Sequence, residues 1–223
     1  MSTKTLNVPD RLRSTSTEKT YIYIDVSNIR WACSWSCGFN LDFVKLYKYL
    51  KRKYPNTQEI RYYEGIATGD ERKRERFQFL EDKVGYNICS LNRKSYINPP
   101  RFKNYKCNNC GATNTVKILQ ENVKLKSNVD VYLASDMIER AVLETDPVQL
   151  ILVSCDGDYA EAIMTILRLN PNARVQILAT PLLRKRNCMS LRLKMFAGRL
   201  YNRVDLVNIN TIKDYISRTE PEL

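Results

Sequence analysis

An α/β fold built on a mainly parallel sheet is predicted for this 223-residue chain, and three observations predict it. Short apolar, β-branched runs alternate with segments of helical periodicity, as βαβ units require. The run 150–153 (LILV) is continuously apolar rather than alternating, which suits a strand covered on both faces. Aspartates follow two of these runs, Asp25 and Asp156. The carboxyl edge of such a sheet is where α/β folds bind ligands.

The elements follow in order. Residues 1–19 are polar, hold Asp10 and Glu18 and lack an apolar h-region, so they read as a flexible arm rather than a targeting segment. Residues 21–26 (YIYIDV) form the first strand, and a loop with Trp31, Cys33, Trp35, Cys37 and Gly38 is expected after it. Asn40 is placed to cap a helix whose apolar face is Phe43, Val44, Tyr47 and Leu50 and which Pro55 stops. Residues 59–66 are the second strand. A charged helix opens at Gly69-Asp70 and ends at Gly85, and residues 86–91 are the third strand.

Alternation then breaks. Residues 92–125, with Pro99, Pro100, Cys107 and Cys110, are too long for an ordinary connection and read as an insertion. A helix from Val129 to about Leu143 follows, then strand 149–153, helix 158–168, strand 174–179, a basic loop, a short helix over 190–196, a strand over 200–204 and a terminal helix over 210–217. One domain over 20–217, with a tail at 218–223, accounts for the pattern.

Composition narrows the chemistry. The formal charge is +12, an excess that suits a polyanionic partner, most often nucleic acid. No histidine is present, which excludes His-based triads, His bases and His metal ligands. Seven cysteines and no secretory signal point to a cytoplasmic chain with metal-binding or buried thiols rather than disulfides. No apolar run reaches the roughly 18 residues of a membrane span, so no membrane partner is expected.

Five aspartates sit at element ends or starts: Asp25, Asp130, Asp136, Asp156 and Asp158. If the first and fourth strands are adjacent, Asp25 and Asp156 converge at the switch point of the sheet. Carboxylates crowded in one cleft raise each other's pKa, and a hard divalent cation such as Mg²⁺ or Mn²⁺ relieves the repulsion. Such an ion activates water and neutralises a phosphodiester transition state without histidine. Structural roles compete. Asp158 with Glu161 is a capping-box pattern, Asp130 suits a helix N-terminus, and Asp136 with Arg140 is an i,i+4 pair.

These residues carry a resemblance. YIDVSNIR (23–30) resembles the first-strand I-D-G-S-N motif of NYN domains, part of the PIN-like nuclease superfamily that includes LabA-like proteins. KSNVDVYLASDMI and ILVSCDGDYAEAI resemble two further segments of that family, and SLRLKMFAGRLY loosely echoes its closing segment. The resemblance implies a PIN-like, Rossmann-like sheet ordered 3-2-1-4-5. It implies Mg²⁺ or Mn²⁺ held by Asp25, Asp130 and Asp156, with Asn28 and Asp158 assisting and Asp136 at a further acidic position. Lys126 matches the family's lysine. The implied activity is metal-dependent cleavage of RNA. Val26, Asn128 and Cys155 replace family glycines, and Gly198 stands where an Asp is usual.

Two further features remain. Cys33-x3-Cys37-Gly38 and Cys107-x2-Cys110-Gly111 resemble the two knuckles of a four-cysteine structural zinc site beside the cleft. Arg184, Lys185 and Arg186 follow the fifth strand, with Arg192 and Lys194 beyond, and Arg93, Lys94, Arg101, Lys103 and Lys106 interleave with Tyr96, Phe102 and Tyr105. Cations with aromatic rings suit single-stranded RNA, the expected partner. The rival reading is a non-catalytic RNA-binding or adaptor module that keeps the acidic pocket. A phosphatase of the haloacid dehalogenase type needs Asp-x-Asp after the first strand and a Toprim domain needs a Glu there; Asp25-Val26-Ser27 supplies neither.

Overall fold

Strand β1 (Lys19–Asp25) lies at the middle of a six-stranded parallel sheet and is buried from Thr20 to Asp25. The computed structural model describes residues 18–97, 101–118, 123–180, 190–197 and 202–218. In chain order the other strands are β2 (Thr57–Ile66), β3 (Asn87–Asn92), β4 (Lys94–Ile97), β5 (Arg101–Lys106), β6 (Thr113–Ile118), β7 (Val123–Lys126), β8 (Val148–Val153), β9 (Ala173–Ala179) and β10 (Val204–Asn208). The sheet order is β3-β2-β1-β8-β9-β10. The first five strands expected from the sequence thus run 3-2-1-4-5, and the sixth, β10, takes the far edge.

The helices are α1 (Val26–Ala32), α2 (Phe43–Lys53), α3 (Glu71–Phe79), α4 (Val129–Leu143), α5 (Ala160–Leu169), α6 (Leu191–Lys194) and α7 (Lys213–Ile216). Right-handed crossovers put α4 and α5, which pack together, on the face opposite α2. The winding changes direction between β1 and β8, so the carboxyl ends of these two strands flank the switch point. No described helix is long and apolar enough to cross a membrane.

Three local expectations are corrected. The stretch after β1 is not a loop. Asp25 caps α1, which continues as a π-turn over Cys33–Cys37 and stops at Gly38 in the left-handed conformation, φ 67°. Asp42 rather than Asn40 caps α2, accepting from the N–H groups of Val44 and Lys45. The last strand lies four residues beyond the expected 200–204, because Val204 to Asn208 is the segment in parallel register with Val175 to Ala179. The insertion after β3 is itself regular. It is a pair of antiparallel ribbons, β4 with β7 and β5 with β6, running out from the end of β3 and back to α4.

One buried ion cluster fixes the carboxyl end of β2. Glu64 is 1% exposed and accepts two hydrogen bonds from Arg30 of α1, at 2.9 and 3.2 Å. Lys73 of α3 lies 2.7 Å away, and the Tyr62 hydroxyl donates at 3.0 Å. Burial alone would push this carboxyl up, but Arg30 and Lys73 hold it below its usual value. The helix that follows β1 is thereby tied to β2 and α3.

Candidate active site

Parallel register sets the site. Ile24 pairs with Val153, so Asp25 and Ser154 leave the sheet side by side. The Asp25 Oδ1 accepts from the Asn28 N–H at 3.2 Å. Its Oδ2 accepts from the Ser154 hydroxyl at 3.3 Å and from the Tyr159 hydroxyl at 3.1 Å. Asn28 returns the link: its Oδ1 accepts from the Cys155 N–H at 2.8 Å, joining α1 to the turn after β8. The Ser154 hydroxyl in turn accepts from the Asp156 N–H at 3.1 Å. Both strand ends are thus locked by hydrogen bonds before any ligand arrives.

Asp25, Asp130 and Asp156 line one open cleft of about 420 Å³, together with Ser27, Asn28, Arg93, Lys126 and Asn128. Asp130 reaches it from the first turn of α4, where a carboxylate also complements the helix dipole. Asp25 is 7% exposed. Burial pushes its pKa up to about 6, the three hydrogen bonds oppose the rise, and the charge of Asp156 adds to it. Tyr159 is held well above the ordinary phenol range by burial and by the charges of Asp25, Asp130 and Asp156, so it stays a donor. The donors are hard oxygens, which suits a Mg²⁺- or Mn²⁺-type cation by chemistry. As placed, no three Cys, Asp or Glu side chains among the described residues are drawn into a single ligation sphere.

The remaining candidate residues divide. Asp158 does not cap α5: its side chain is exposed and its N–H donates to Asp156 at 3.1 Å, so Asp156 is the capping residue of this turn. Asp136 is outside the cleft. It binds Arg61 at 2.6 Å and the Tyr63 hydroxyl at 2.5 Å on β2, in place of the i,i+4 pairing with Arg140. Arg192 is exposed at the start of α6, whose Ser190 N–H donates to the Cys155 carbonyl, so it borders the acidic turn. Lys194 follows two residues later and is half-buried. Arg184, Lys185 and Arg186 lie outside the described residues.

The four-cysteine site is not assembled. Cys107 to Ala112 form a tight turn at the tip of the β5–β6 ribbon, with Gly111 at φ 70°. The N–H groups of Cys110 and Asn109 face the Cys107 sulfur and draw its pKa down. The other pair is not presented to this turn. Cys33 is fully buried among core residues, and Cys37 packs partly against the core. The physical reason is the helical path after β1, which turns Cys33 inward with Val26, Ile29 and Ala32.

Two residues of the site are not evident from the sequence. Ser154 and Tyr159 both donate to Asp25 and both are buried. Each reads in sequence as an ordinary strand-end or helix residue, and only the pairing of β1 with β8 brings them to Asp25. A third is legible only as charge: Arg93, at the root of the insertion, lines the cleft. Gly65 explains how that root packs. A Cβ there would collide with the Ser127 side chain and press on Arg93, so the missing side chain lets the 126–130 segment lie against β2.

The NYN domain family matches residues 19–195. A crystal structure of a protein of unknown function from Vibrio parahaemolyticus is similar over 89% of this chain and 98% of its own, with a TM-score of 0.56 and 21% identity. That likeness shows the fold. No curated protein sequence matches the chain.

Proposed function

The chain belongs to the NYN domain family, a PIN-like nuclease family, and from that premise we propose that it is a Mg²⁺- or Mn²⁺-dependent ribonuclease acting on RNA phosphodiesters. The observation that carries the reading is the convergence of Asp25, Asp130 and Asp156, from three separate segments, on one cleft rimmed by Arg93 and Lys126. The three carboxylates would hold the cation, which when bound supplies charge neutralisation and a lowered pKa for water. The chain's own groups do the rest. Ser154, Tyr159 and the Asn28 N–H orient Asp25. Asn28 holds the two strand ends at fixed separation. Arg93 and Lys126 take up the substrate's phosphates and steady the charge developing on them.

Charge distribution supports an RNA partner. Residues 93–126 contain eight Lys or Arg and one acidic residue, Glu121, so this stretch carries +7 of the net +12. Both faces of the β5–β6 ribbon are exposed, presenting Arg101, Lys103, Lys106 and Lys117 with Phe102 and Tyr105. A ribbon that buries no core side chain and concentrates cations is suited to phosphate contact.

The test is cleavage of end-labelled single-stranded and structured RNAs by the purified chain with Mg²⁺, Mn²⁺ or EDTA. Cleavage that EDTA abolishes is expected. RNA binding without cleavage in either metal would return the chain to the second reading, a non-catalytic RNA-binding module. A single substitution probes the cleft wall. Gly65→Ala should lower cleavage about 100-fold by displacing the Lys126–Asp130 segment, and lower stability by about 1–3 kcal/mol in urea melts. Turnover equal to the native chain would show that this segment has no positional role.

A further inference from the structure

We propose that Trp31 and Trp35 form a stacking platform for an unpaired nucleobase beside the cleft, which makes single-stranded RNA the preferred substrate class. The two rings stack on each other with centroids 4.7 Å apart at 26°. They are 55% and 45% exposed and are the only tryptophans of the chain. The inference rests on the reading of the cleft as an RNA site.

Position supports it. Ser27 lines the cleft, and Trp31 and Trp35 follow at i+4 and i+8 on the same exposed stripe of α1 and its π-turn. At a rise of about 1.5 Å per residue, positions 31 and 35 lie roughly 6 and 12 Å along the helix axis from Ser27. The opposite stripe, with Val26, Ile29, Ala32 and Cys33, already fills the core. The core is therefore complete without the rings at positions 31 and 35. About half of each ring's surface stays exposed, and tryptophan is the residue type best suited to covering a flat aromatic ligand.

Charge selects the occupant. No acidic residue occurs between Asp25 and Asp42, so the segment that carries the rings brings no negative charge of its own, and Arg93 and Lys126 stand at the cleft that Ser27 lines. A strand whose phosphates meet these cations can lay a base on the rings, since every base has a π-face. A paired base is stacked within its own helix and is not available to them.

The native chain carries its own probe, because all tryptophan fluorescence comes from these two residues. In EDTA, single-stranded oligoribonucleotides should quench it saturably, while a duplex of the same sequence should need at least about tenfold higher concentration. Trp31→Ala with Trp35→Ala should weaken single-strand binding by about 10- to 100-fold, as the loss of one or two stacking contacts implies. Trp31→Phe with Trp35→Phe should restore most of it. Unchanged fluorescence while anisotropy of a labelled strand reports binding would overturn the platform and leave the RNA reading standing. No binding by anisotropy would overturn both. Light scattering covers the remaining occupant: a native dimer that the double Ala variant abolishes, with RNA affinity unchanged, would assign the rings to a second copy. Should the Ala variant fail to fold, the fluorescence of the native chain still decides.

Discussion

Asp25→Asn and Asp156→Asn should each reduce RNA cleavage at least ~100-fold while single-stranded RNA affinity stays within a few-fold of the native chain. Loss of an outer partner at a metal site already costs about 10- to 100-fold, and these two carboxylates are offered as direct ligands. Both changes are nearly isosteric. In the Asp25→Asn chain the side-chain amide keeps an oxygen that can accept from the Asn28 N–H, so α1 retains its cap. In the Asp156→Asn chain the amide oxygen can likewise accept from the Asp158 N–H. Binding should survive because phosphate contact is assigned to Arg93, Lys126 and the ribbon rather than to the carboxylates. Single-turnover cleavage and anisotropy on the same preparations separate the two effects. Native rates in either variant would remove the acidic cleft from the mechanism.

The same Asp25→Asn chain should be more stable than the native one in EDTA at pH 8, and this gain should vanish near pH 4. The sign follows from proton linkage. Asp25 has a folded pKa of about 6 against 3.8 for an unperturbed carboxyl. Between these values the folded state binds more protons than the unfolded state, so stability from this residue falls as pH rises from about 4 to 6 and stays low above that. Two pKa units correspond to about 3 kcal/mol. Part of the gain is lost because an amide nitrogen cannot accept from Ser154 or Tyr159. A gain of about 1–3 kcal/mol, several degrees in Tm for a chain of this size, is the expected result at pH 8. Addition of Mn²⁺ should raise the Tm of the native chain and leave the variant unmoved. A variant less stable at both pH values would show that the hydrogen bonds to Asp25 outweigh the cost of burying its charge.

Much of the fold is written in local pattern. Continuous apolar strands such as β8, helical spacing in α4 and α5, and the punctuation by Pro55, Gly85 and Pro171 are short-range signals that need no partner to be read. The stretch after β1 reads as a loop because its helix depends on something non-local. Its apolar residues are spaced to cover the sheet, while two tryptophans on the outer stripe break the amphipathic pattern. The C-terminal strand is displaced for a related reason: an edge strand is chosen by register with its neighbour β9, and several short apolar runs compete for that place.

The site divides along the same line. Sequence by itself determined which carboxylates stand at strand ends and helix starts, that no histidine is available, and that the insertion is basic. Those are matters of residue type and spacing. Only the tertiary structure decided which of them meet. The β1–β8 pairing brings Ser154 and Tyr159 onto Asp25, the β2 edge claims Asp136 through Arg61 and Tyr63, and the core encloses Cys33 away from Cys107. The physical reason is that a carboxylate or thiol takes its partners from whatever the fold packs against it, and those groups lie up to 134 residues away along the chain.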